Sequence, residues 1–81
     1  MKIQINDEFY LSKLDDRNFC LYQTLIYPEG TKQAGEKHEE IISYNITMKA
    51  AYNSAVRRLP MYADSLSELR QIVLDLKALE I

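Results

Sequence analysis

Apolar and polar positions along this 81-residue chain follow a two-residue period at first and a helical period later. Over residues 1–5, Met1, Ile3 and Ile5 fall on one side of an extended chain. Over residues 8–14, Phe9 and Leu11 oppose Tyr10 and Leu14. Asp15-Asp16-Arg17-Asn18 is a polar cluster suited to a turn, because Asp and Asn side chains bond to their own backbone. The run from Asn18 to Tyr27 carries apolar residues on both faces, with Phe19, Leu21 and Leu25 on one and Tyr22 and Ile26 on the other. That pattern predicts a β-hairpin whose second strand is central. Pro28 ends the strand, since it cannot donate to a ladder. Residues 28–38 hold both glycines and no large apolar side chain, which predicts a flexible surface loop. Glu39 to Thr47 then reads as a third strand with Ile42, Tyr44 and Ile46 on one face, antiparallel to the central one.

Beyond Thr47, a plausible helix cap, the spacing changes. Met48, Ala51, Tyr52, Ala55, Val56 and Leu59 recur at the intervals of one helical face, and Pro60 stops that helix. Residues 60–64 form a link. Ser65 with Glu68 is a capping box opening a second helix that should run to about Glu80. Leu66, Leu69, Ile72, Val73, Leu76 and Leu79 line one side of it, the largest single apolar face in the chain. The segregated order β-β-β-α-α predicts a single α+β domain over residues 1–81, a three-stranded antiparallel sheet with two helices packed on one face.

Composition is that of an ordinary globular domain, 47% hydrophobic and 27% charged. No run approaches the ~18 apolar residues of a membrane-spanning helix. The N-terminus alternates and turns acidic at Asp7-Glu8, unlike a signal peptide. The expected location is therefore the cytoplasm, with no membrane partner. Cys20 is the single cysteine and reads as a small buried hydrophobe. The net charge of -2 is too balanced to imply a polyanion partner.

Catalytic chemistry has little to work with. His38, the single histidine, sits beside Glu36, Glu39 and Glu40 in a solvated loop, a poor metal site. Cys20 and His38 are the one pair that could in principle meet as nucleophile and base. Gly30 and Gly35 do not precede a helix, so they form no phosphate cradle. The chain is expected to be no enzyme and to need no cofactor or metal.

Two surfaces invite partners. Leu74, Ala78 and Ile81 lie opposite the main stripe of the last helix, flanked by Arg70 and Lys77, as an apolar centre with a charged rim would be. That strip suits another protein chain or a homodimer. Lys49, Asn53 and Arg57 line the polar side of the first helix with Arg58 adjacent. With the six tyrosines of the chain they make nucleic acid the alternative partner.

Three stretches, residues 5–11 (Ile-Asn-Asp-Glu-Phe-Tyr-Leu), 18–21 (Asn-Phe-Cys-Leu) and 62–69 (Tyr-Ala-Asp-Ser-Leu-Ser-Glu-Leu), cover about a quarter of the chain. In them the sequence resembles small proteins encoded by phages and prophages of Gram-positive bacteria. The Met48–Leu59 helix departs from the shortest of these. The resemblance implies a phage accessory protein in a host cytoplasm. Inhibitors of host defence, anti-CRISPR proteins among them, are common in that class. It implies a host protein as partner, for instance a CRISPR–Cas effector, and carries over no catalytic or binding residue.

Overall fold

A computed structural model describes residues 2–79. Four strands, β1 (Lys2–Gln4), β2 (Phe9–Asp15), β3 (Asn18–Ile26) and β4 (Lys37–Asn45), form an antiparallel meander in the order β1-β2-β3-β4. Helix α1 (Met48–Arg58), a 3₁₀ turn (Leu59–Tyr62) and helix α2 (Leu66–Ala78) follow. The α+β class and the helices are as expected, but the sheet has four strands and not three. The first extended segment folds back on itself so that Ile3 lies opposite Leu11. Asn6 makes the turn: its Oδ1 accepts from the amides of Glu8 and Phe9, both at 2.9 Å, and Ile5 N–H donates to the Phe9 carbonyl at 3.0 Å.

A second correction concerns β4. Leu21 pairs with Ser43 but Tyr22 pairs with Ile41, so Ile42 is an extra residue in a β-bulge. The bulge turns Ile42 towards the core, while Tyr44 is 64% exposed on the other face. The expected common face of Ile42 and Tyr44 is therefore broken between them. Strand β4 also begins at Lys37, two residues inside the stretch read as loop.

The core lies between the sheet and α1. The cross-strand row Ile3, Leu11, Leu21 and Ser43 meets Ala51, Tyr52 and Ala55 of α1, with Phe9 and Leu59 completing the buried centre. Beneath the helix, Ser54 Oγ donates to Ser43 Oγ at 2.9 Å and Asn45 Nδ2 donates to the same oxygen at 3.1 Å. Each buried hydroxyl is thereby satisfied, as burial requires. Thr47 caps α1 by accepting from Ala50 N–H. Pro60 falls in the first turn of the 3₁₀ segment, where its missing N–H costs nothing.

Helix α2 is less central than its sequence suggests. It leans on α1 and the 3₁₀ turn and does not lie across the strands. Ile72 and Leu76 are its two fully buried residues, and the Tyr52 hydroxyl ties it to α1 by donating to the Leu76 carbonyl at 2.7 Å. The cap is close to expectation. Ser65 Oγ accepts from Glu68 N–H at 3.1 Å, and the Glu68 carboxylate reaches back to the amide of Asp64, one residue before the cap, at 2.7 Å.

Candidate interaction surfaces

Because α2 is held by a narrow side, much of its apolar surface is outside. Leu74 is 60% exposed, as its place opposite the buried stripe predicts. Leu66 at 63% and Val73 are also exposed, although the stripe reading assigned both to the core. A helix face needs a layer as wide as itself to bury it, and α1 with the 3₁₀ turn covers only the Ile72–Leu76 side. Leu69, Arg70, Val73 and Leu74 line a shallow recess on the outer surface. Arg70, Lys77 and Ala78 are exposed beside it, whereas Ile81 lies outside the described residues. Four residues of the expected partner-binding set therefore share the outer side of α2, with Leu66 and Val73 added to them.

The helix cations of the alternative site take a different position. Lys49, Asn53 and Arg57 are exposed on α1, and among the described residues no carboxylate lies within ion-pair distance of Lys49 or Arg57. Arg58 is partly engaged elsewhere, its Nε donating to Ser54 Oγ at 3.0 Å. The tyrosines of the sheet do not join them. Tyr10, Tyr22 and Tyr44 project from the sheet face that α1 does not cover, so phosphate contacts and base stacking would fall on opposite layers.

That uncovered face is the surface the sequence reading missed. The rings of Tyr10 and Tyr22, paired across β2 and β3, stack at 4.7 Å with planes 5° apart. The Lys2 ammonium sits 4.2 Å over the Tyr10 ring, and the Tyr10 hydroxyl donates to Glu39 Oε2. Burial first, then the hydrogen bond and charge of Glu39, push the Tyr10 phenol well above its ordinary value. Cys20, between Ser12 and Tyr44 in the next cross-strand row, is fully buried among these side chains, and burial pushes its thiol up as well. Ile26 and Tyr44 stand exposed around this centre. The signal was present in β3, whose apolar residues occupy both faces.

Asp7, Glu8, Asp64, Glu68 and Asp75 rim a cleft between the β1–β2 turn and α2. Among the described residues no three His, Cys, Asp or Glu side chains are placed to share a metal ion. Cys20 and His38 do not meet: the thiol is buried in the sheet, and the His38 ring lies against Tyr27 at 4.3 Å. Among the described residues no helix is long and apolar enough to cross a membrane. Comparison with known proteins finds no matching family, no similar curated sequence and no similar solved structure.

Proposed function

We propose that this protein is a small phage or prophage accessory protein that acts by binding a host protein through the outer side of α2. One observation carries the reading: Leu66, Val73 and Leu74 are exposed together on a well-capped helix, around a recess lined by Leu69, Arg70, Val73 and Leu74. A contiguous apolar patch with cations at hand matches the centre and rim of a protein interface. The resemblance to phage proteins supplies the class of partner, a component of host defence, with a CRISPR–Cas effector as the first target to assay. Binding without catalysis is the mode of action proposed.

The test is capture from host lysate by the parent and by Leu74→Glu, followed by identification and reconstitution with the purified partner. Leu74 is 60% exposed, so the variant should keep its circular dichroism spectrum. A partner bound by the parent and lost by the variant supports the reading. Equal capture by both removes α2 from it. DNA cleavage by purified CRISPR–Cas effectors, with and without the protein, tests the anti-CRISPR assignment separately. The alternative, nucleic-acid binding through Lys49, Asn53, Arg57 and Arg58, draws its support from the exposed cations of α1.

A further inference from the structure

Helix α2 sorts its charges onto two sides. Glu68 and Asp75, with Asp64 ahead of the cap, line the cleft that faces the β1–β2 turn. There the Glu68 carboxylate accepts from the Asp64 amide at 2.7 Å, and Asp75 Oδ1 accepts from Gln71 Nε2 at 2.9 Å. The cations Arg70 and Lys77 stand exposed on the outer side, in one strip with Leu66, Val73 and Leu74. These five residues follow the spacing i, i+4, i+7, i+8 and i+11 of a single helical stripe. At about 1.5 Å per residue the strip runs about 16 Å along the helix.

The described residues leave that strip without a counter-charge. Among them no carboxylate lies within ion-pair distance of Arg70 or Lys77. Helix α2 packs on α1 and the 3₁₀ turn, and neither supplies an anion. Lys49, Arg57 and Arg58 are the charged residues of α1, and the turn has none. Glu80 lies outside the described residues. The recess in the strip has the form of a hole for one side chain. Leu69, Arg70, Val73 and Leu74 stand around it as two successive pairs one helical turn apart, and its lining is apolar. Arg70 therefore contributes its methylene stem and keeps its guanidinium at the rim. Four residues of one helix around a hole is the way helices receive each other's side chains.

Building on the reading of α2 as the partner surface, we propose that the segment it binds is an acidic amphipathic helix of the partner protein. One apolar side chain of that helix seats in the recess, and its carboxylates stand opposite Arg70 and Lys77. Charge decides the sign: an anionic partner answers both cations, whereas a basic one would meet like charge on a strip that holds no anion of its own. A second copy of this chain fits poorly for the same reason, because it brings Arg70 and Lys77 against Arg70 and Lys77. Shape decides the form. The strip is the convex side of a helix and offers no free backbone edge to pair with an extended strand, whereas a helix can lay an apolar row along its whole length.

Fluorescence anisotropy decides it, with two synthetic helical peptides that share a leucine face, one flanked by Glu and the other by Lys. The parent should bind the Glu-flanked peptide about tenfold or more tighter than the Lys-flanked one. That preference should vanish in about 1 M salt, where the screening length falls to about 3 Å. Arg70→Glu with Lys77→Glu should reverse the preference with an unchanged circular dichroism spectrum. Arg70→Gln with Lys77→Gln should erase it, and takes the place of the reversal if that variant fails to fold. Equal binding of the two peptides by the parent, or binding of neither, overturns the proposal. In the second case adsorption to phosphatidylglycerol vesicles would assign the strip to a lipid surface. A parent dimer that Leu74→Glu dissociates in sedimentation also overturns it, since a second copy then covers the strip. Capture of a host partner separates the two readings. A partner lost with Leu74→Glu but kept by both charge variants removes the acidic helix and leaves α2 as the binding surface. A partner kept by every variant removes α2 as well.

Discussion

Two leucines on α2 separate the structural side of the helix from the side proposed for partners. Leu76 is 4% exposed and Leu74 is 60% exposed. Replacing Leu76 by Ala removes about three buried carbon groups, roughly 2.4 kcal/mol at about 0.8 kcal/mol each. The cavity left behind adds to this, and measured Leu→Ala costs run from about 2 to 5 kcal/mol. Leu76 lies where α2 leans on α1, at the periphery of the core, so the neighbours can partly close the gap. The expected cost is therefore near the lower end, about 2.5–3 kcal/mol. A chain of this length holds on the order of 4–12 kcal/mol in total, so the loss is a large share. With an m-value of about 1 kcal/mol/M, the urea midpoint should fall by more than about 2 M. Leu74→Ala, stripped of an exposed side chain, should stay within about 0.5 kcal/mol of the parent. Urea unfolding followed by circular dichroism measures both. Equal midpoints for the two variants, or a larger fall for Leu74→Ala, would mean that α2 is rotated about its axis and would remove the partner surface with it.

Alkaline pH should find Tyr10. Its phenol is held above the ordinary value in the folded state, so its stabilising effect is complete below the unfolded value near 10 and is lost as pH rises beyond it. Denaturation midpoints should hold flat up to about pH 10 and then drop, and Tyr10→Phe should drop less steeply; parallel curves would remove Tyr10 as the source. Cys20 is fully buried with its thiol pushed up, so iodoacetamide should modify it only on unfolding, at a rate that tracks denaturant, and rapid labelling of folded protein would contradict its placement. If nucleic acid binds through α1, the parent's gel shift should weaken steeply with salt and the double variant Lys49→Glu with Arg57→Glu should abolish it without altering the fold; a parent that gives no shift ends that alternative.

Much of the fold is legible where one residue type has one physical reason to be there. Pro60 marks the end of α1, Ser65 with Glu68 marks the start of α2, and both boundaries fall within a residue or two of the structure. The extra strand was not read, although Asn6-Asp7-Glu8 interrupts the alternation with the same turn chemistry as residues 15–18, because β1 is only three residues long and too short for a two-residue period to stand out. The bulge at Ile42 was equally hidden: it changes which face each β4 residue takes without leaving a breaker in the sequence. The same limit applies to surfaces. Periodicity tells which residues of α2 share a side, but not how wide the neighbouring layer is, and that width leaves Leu66 and Val73 outside. The bare sheet face was written in the two-sided apolar pattern of β3. That pattern marks a strand as central without saying that its second face lacks a layer of its own.

The order of the elements also sets a clock. Every strand residue that faces α1, from Ile3 to Ser43, is synthesised before the first residue of the helix that covers it. From Asn45 to Leu79 there are 34 residues still to be added, about 2–7 s at roughly 5–20 residues per second. For that interval on the ribosome the nascent sheet region offers apolar side chains in both directions, the α1-facing row as well as the tyrosine row. Slow translation of residues 46–58 lengthens the period in which Leu11 and Leu21 have no α1 against them.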